Sequence, residues 1–356
     1  MGRKYRGDSK SEGMFLRLLP SLTVGSTNFS FFFNSKLKKF SRCAFVHMGR
    51  EVVHSFSRRH AEFRFCNVSG FTNELLEIHS DDPSLHVLFI PGNPGIISFY
   101  KDFLESLYQL LGGRVSITAI GHVSQTKKDW EGGRLFSLQE QIDHKIEFVR
   151  QELPNNDIPL LLVGHSIGSY ISIELFRRLQ DQVVYCIGLH PFLMINKQSR
   201  QQLLIGKFAG SPLLSTLFSA LTALVGALPR RALSFVVRKT IAKSWSNTAT
   251  EAACSHLLKY HTMRNVLFMA MTEFKELSEA PDWAFMKKAS QKLSFLFCID
   301  DHWAPMHMYE EISKQVPEID LSVEREGHTH AFCCSEAASL YIAQHVANLI
   351  KNHLPD

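Results

Sequence analysis

Gly164-His165-Ser166-Ile167-Gly168 is the stretch of this chain best suited to chemistry. A serine hydroxyl becomes a nucleophile when a base takes its proton and its oxygen stands clear of the backbone. The flanking glycines permit the tight strand-to-helix turn that holds it there. Context agrees with that reading. Residues 159–163 are an apolar run that predicts a buried strand, and 167–179 predict a helix with apolar residues at 171, 175 and 179. The helix N-terminus behind Ser166 places positive dipole density where an oxyanion would form.

A nucleophilic serine also needs a base and an orienting carboxylate, and in α/β-hydrolases these follow in the order serine, acid, histidine. Cys298-Ile-Asp-Asp-His-Trp-Ala-Pro305 ends one predicted strand, and Gly327-His-Thr-His-Ala-Phe332 lies between the last strand and the last helix. Asp300 and Asp301 are alternatives for the acid, and His328 and His330 for the base. Pro91-Gly92-Asn93-Pro94-Gly95 follows the apolar run 86–90, where an oxyanion loop belongs. The backbone N–H groups of Asn93 and Ile167 are the expected donors, each worth about 3–4 kcal/mol.

The elements that must position these groups read as an α/β fold. Strands are predicted at 62–68, 74–79, 86–90, 114–120, 159–163, 183–189, 293–299 and 319–323, and helices at 97–111, 138–152, 167–179 and 337–352. Short apolar strands alternating with helices imply a mostly parallel central sheet flanked by helices on both faces.

FIPGNPGIISFY, VGHSIGSY and THAF, with the Asp-x-Trp-x-Pro of Asp301 to Pro305, resemble the lipid-droplet-associated hydrolase family of α/β-hydrolases over residues 86–353. The resemblance implies Ser166 as nucleophile, Asp301 as acid and His330 as base. It also implies a serine ester hydrolase of the lipase or sterol esterase type, acting on neutral lipid esters of droplets. Cys298 departs from the pattern, standing where a glycine is expected three residues before the acid. Acyl transfer through Ser166, and a droplet-surface lipid-binding or organising protein, are the alternative readings.

About a hundred residues, 192–291, separate two predicted strands where such folds carry a cap. They include 208–229, 22 residues without a charge, and then 230–243, with five basic residues and no acidic one. The uncharged run is long enough to span a bilayer. A single crossing would separate Ser166 from Asp301 and His330. Three arrangements survive: a hairpin bent near Gly210-Ser211-Pro212, an interfacial helix, or a packed cap helix. Leu213, Leu217, Phe218, Leu221 and Leu224 are the expected membrane-contacting residues, with a droplet monolayer or the cytosolic face of the endoplasmic reticulum as the surface.

The chain carries a net charge of +5, but residues 1–47 hold nine Lys/Arg against Asp8 and Glu12. Everything beyond them sums to −2, which argues against a nucleic-acid groove. Residues 1–60 read as a Ser-rich, basic leader, either a targeting segment or dispensable, and 61–356 as the hydrolase domain. Seven scattered cysteines do not suggest a disulfide framework. No metal site is expected, because His328-x-His330-x-x-Cys333-Cys334 lacks a second ligand pair at zinc-site spacing. With no Walker A or G-x-G-x-x-G motif, no cofactor is implied.

Overall fold

The computed structural model describes residues 60–154 and 157–353; the basic leader lies outside them but for His60. Among the described residues eight strands form one sheet: β1 (Glu62–Val68), β2 (Phe71–Ile78), β3 (Leu85–Ile90), β4 (Val115–Ile120), β5 (Leu160–His165), β6 (Val183–Leu189), β7 (Leu293–Cys298) and β8 (Asp320–Glu324). Their order is β1-β2-β4-β3-β5-β6-β7-β8. From β4 to β8 every pairing is parallel, whereas β1 and β2 form an antiparallel hairpin that adds to β4 antiparallel. The Ser69-Gly70 turn explains the hairpin: both residues have positive φ, which closes two strands without a crossover.

The helices are α1 (Lys101–Leu110), α2 (Leu138–Glu152), α3 (Ile167–Arg178), α4 (Arg200–Ala209), α5 (Pro212–Gly226), α6 (Arg230–Thr240), α7 (Asn247–Ala252), α8 (Tyr260–Glu276), α9 (Trp283–Lys288), α10 (Met306–Gln315) and α11 (Glu336–His353). The helix expected at 97–111 begins instead as a 3-10 turn, Ile97–Tyr100. Side chains alternate across the sheet and build a core on each face. In β3, Val87 and Phe89 join the core under α1 and α11, while Leu88 and Ile90 join the one under α2 and α3. Ser137 and Glu140 close a capping box on α2, worth about 1 kcal/mol.

Helices α4 to α9 fill the interval between β6 and β7. The α4 and α5 helices meet at 88°, and no single described helix is long and apolar enough to cross a membrane. The bend falls at Gly210-Ser211-Pro212 for local reasons. Gly210 caps α4, Ser211 accepts the Leu214 N–H as N-cap, and Pro212 takes the first helical turn, where a missing N–H is harmless.

The α5 helix is amphipathic in an inverted sense. Ser215, Ser219 and Thr222 are buried, whereas Leu213, Leu217, Leu221 and Leu224 are exposed, Leu213 by 76% and Leu224 by 69%. Phe218 leaves this row. It is half-buried, packs on the core, and sits edge-on to Phe208 at 5.5 Å. Helical geometry is the reason: Phe218 lies three residues after Ser215 and four before Thr222, on the inward face.

Candidate active site

The serine motif lies where strand gives way to helix. β5 runs through Gly164 and His165, and α3 starts at Ile167. Ser166 between them has φ +55°, a strained conformation for a residue with a side chain, worth about 1–3 kcal/mol. The two glycines answer to close approach. A Cβ on Gly164 would stand 2.3 Å from the Gly168 carbonyl oxygen, and one on Gly168 would stand 2.3 Å from that of Ile90. Any larger residue would force β5, α3 and β3 apart.

The hydroxyl of Ser166 donates to His330 Nε2 at 2.9 Å, and His330 Nδ1 donates to Asp301 Oδ2 at 2.7 Å. The Asp301 side chain is fully buried and takes the Trp303 N–H on Oδ1 at 2.7 Å. Burial pushes its carboxyl up, but the His330 charge and hydrogen bond, with the Trp303 N–H, overcome this and hold it at about 2. An ionised Asp301 keeps the His330 proton on Nδ1 and leaves Nε2 free to accept from serine. Asp300 is exposed, and His328 packs against Tyr341 at 5.0 Å, away from this line.

Asn93 lines the cleft beside Ser166. Its amide donates to the Val266 carbonyl and to Glu273 Oε1, both at 2.9 Å and both on α8, so the cap helix holds the loop. Ile167 is the first residue of α3, and its N–H has no acceptor within the helix. Phe192, Trp303 and Phe99 give the cleft an aromatic wall.

Sequence reasoning did not single out the polar groups that bind the loops together. The Tyr100 hydroxyl accepts the Gly92 N–H at 3.1 Å and donates to His165 Nδ1 at 2.7 Å. His165 Nε2 donates to the His330 carbonyl at 2.9 Å, and His190 Nδ1 donates to the same oxygen at 3.3 Å. One chain of bonds therefore joins the Pro91–Gly95 loop, the serine turn and the histidine loop. Burial, aided by the nearby His330 and His190, holds His165 far below the usual imidazole range. Burial likewise takes His190 down to about 4, against the pull of Asp301. Both are neutral at pH 7 and serve as hydrogen-bonding groups. The available signals were the position just before the serine in G-x-S-x-G for His165 and the end of the FIPGNPGIISFY run for Tyr100.

The His165, His190 and His330 nitrogens lie within 4.8 Å of one another, as do ligand atoms of His190, Cys298 and Asp301. A metal there would compete with established bonds, since both ring nitrogens of His165 and of His330 are engaged. The six described cysteines are free and buried, Cys298 among them at the end of β7.

The family model for lipid-droplet-associated hydrolases matches residues 83–333. A lipid droplet-associated hydrolase of Rattus norvegicus is 30% identical over 290 residues, covering 76% of this chain and 86% of that protein. Its namesake in Homo sapiens is 28% identical over 293 residues, covering 77% and 86%. Among solved structures, a haloalkane dehalogenase from Bradyrhizobium elkani superposes with a TM-score of 0.63 at 15% identity, covering 82% of this chain and 98% of its own. An epoxide hydrolase from Vigna radiata gives 0.59 at 14% identity, covering 82% and 99%. Likeness at that identity speaks for the α/β-hydrolase fold alone. The sheet order, the serine turn and the family match over most of the described chain lead to one conclusion: this chain belongs to the lipid-droplet-associated hydrolase family.

Proposed function

We propose that the protein is a serine hydrolase acting on neutral lipid esters at the surface of lipid droplets. The observation that carries this reading is the Ser166–His330–Asp301 line of hydrogen bonds, 2.9 and 2.7 Å long, with Ser166 and His330 lining an aromatic-walled cleft. In this reaction Ser166 Oγ attacks the ester carbonyl carbon as its proton passes to His330 Nε2. The C–O bond to the alcohol breaks, His330 returns the proton to the leaving oxygen, and water then releases the acyl group by the same steps. Asp301 stabilises the imidazolium that forms between them. The backbone N–H groups of Asn93 and Ile167 receive the oxyanion.

Attachment falls to α5. Leu213, Leu217, Leu221 and Leu224 present a row of exposed apolar side chains, and burying each in lipid is worth about 1.5–3 kcal/mol. The α6 helix adds exposed basic residues, Arg231, Arg238 and Lys239, and the exposed ring of Phe235, suited to an anionic lipid surface. A droplet has a monolayer and no second aqueous compartment, which suits a surface helix approached from the cytosolic face of the endoplasmic reticulum. The relatives' names point to the same surface.

Labelling with a fluorophosphonate probe tests the chemistry. We expect the parent protein to label and Ser166→Ala not to; equal labelling of both sinks the assignment.

A further inference from the structure

The cleft beside Ser166 holds a buried acid that the reaction above does not use. Glu273 lies on α8, is 4% exposed, and lines the cleft with Asn93, Phe192 and Trp303. One of its oxygens accepts from Asn93 Nδ2; the other has no partner among the described residues. Asn93 Oδ1 is also buried, and it has no partner among the described residues. The cap thus sets a carboxyl against the Asn93 amide, and both residues line the cleft that holds Ser166.

Burial pushes the Glu273 carboxyl up to about 8, against the opposing effect of the Asn93 hydrogen bond. At neutral pH most of it is a carboxylic acid, able to donate. A hydroxyl complements such a pair, because it accepts from an acid and donates to an amide oxygen. An ester without a free hydroxyl would fill the same space and leave the protein groups unanswered, which is what makes polar sites selective.

We propose that Glu273, with Asn93 beside it, is a hydroxyl-reading subsite that selects lipid esters bearing a free alcohol next to the scissile bond. Partial acylglycerols are that class; sterol esters and triacylglycerols are not. The subsite rests on the reading of Ser166 as the nucleophile. It shares the cleft with Ser166, and it gives a role to an acid standing where an apolar residue would be buried at lower cost.

The full-length protein is assayed on monooleoylglycerol and on its di-O-methyl ether, both in the same detergent micelles. The parent is expected to prefer the free glycerol by roughly 10–100-fold in kcat/KM. Glu273→Leu should bring that ratio to within about threefold of unity, while Glu273→Gln, which keeps an N–H donor, should preserve most of it. The ratio is the readout because Glu273→Leu also loosens Asn93, a loss common to both substrates. A parent ratio near unity, or a ratio unchanged in Glu273→Leu, overturns the subsite. So does cleavage of neither ester while fluorophosphonate labelling still depends on Ser166. Labelling that survives Ser166→Ala overturns the nucleophile reading instead, and the subsite with it.

Discussion

At the carboxyl edge of the sheet, polar side chains are buried and answer one another; along α5, apolar side chains face outward while Ser215, Ser219 and Thr222 are buried. Ser166, His330, Asp301, His165 and Tyr100 form a closed set of bonds between loops that come from distant parts of the chain. On α5 the balance is reversed. Ser219 turns its hydroxyl back onto the Ser215 carbonyl, Arg264 bonds the Ser215 hydroxyl, and Leu213, Leu217, Leu221 and Leu224 are exposed among the described residues. In the first region these five side chains find their partners within the fold. The second would be completed by an apolar surface, which is the physical case for the proposed attachment.

Breaking the closed set should have the largest effect. Asp301→Asn is expected to lower kcat by about 10⁴, because the His330 tautomer loses its support. Asp300→Asn, which alters an exposed side chain, should stay within about twofold in the same steady-state assay. A reversed pattern would undo the assignment of the acid.

On the other region, Leu217→Asp, Leu221→Asp and Leu224→Asp together should remove the protein from droplets. Removing three buried leucines' worth of transfer, about 1.5–3 kcal/mol each, lowers partitioning by more than a hundredfold. Fluorescence of tagged 48–356 on isolated droplets measures it, with circular dichroism confirming the fold. Undiminished droplet signal would leave α5 as an ordinary cap helix. The opposite face sharpens the contrast. Ser219→Leu inserts bulk where nothing is exposed and should cost about 1–3 kcal/mol in denaturant unfolding, although it adds apolar character.

Asp301 also links the closed set to acid stability. Its native pKa of about 2 lies below the ordinary 3.8, so its stabilisation is present above pH 4 and is lost as pH falls towards 2. The difference amounts to about 2 kcal/mol. Denaturant midpoints at pH 5 and pH 2.5 should converge for parent and Asp301→Asn; a constant gap would argue against the shift.

The smallest effect is expected at Tyr100. Tyr100→Phe deletes one hydroxyl, leaving the Gly92 N–H and His165 Nδ1 unanswered at about 1–2 kcal/mol. A fall in kcat of roughly tenfold with little change in KM would show that the Pro91–Gly95 and histidine loops are held in register through it. A change confined to thermal stability would make it a packing residue.

Local chemistry carried much of this structure in the sequence. The apolar runs at β3, β5, β6 and β7 can be satisfied only as buried parallel strands, and G-x-S-x-G between strand and helix dictates a strained serine whatever surrounds it. The break at Gly210-Ser211-Pro212 is equally local, a cap and a proline at adjacent positions. Choices between adjacent candidates were not local. Asp301 and not Asp300 points inward because β7 ends at Cys298 and the following turn buries only one of the two. Phe218 leaves the leucine row because α5 packs its Ser215–Ser219–Thr222 face against the body, an orientation that apolar content alone cannot specify. Glu273 and Asn93 meet across 180 residues, from α8 to the loop after β3. Periodicity marks Glu273 only as a charge among the inward positions of α8. Its environment, and so its protonation, comes from what the tertiary structure packs around it, because desolvation depends on every neighbour in space and on none in sequence.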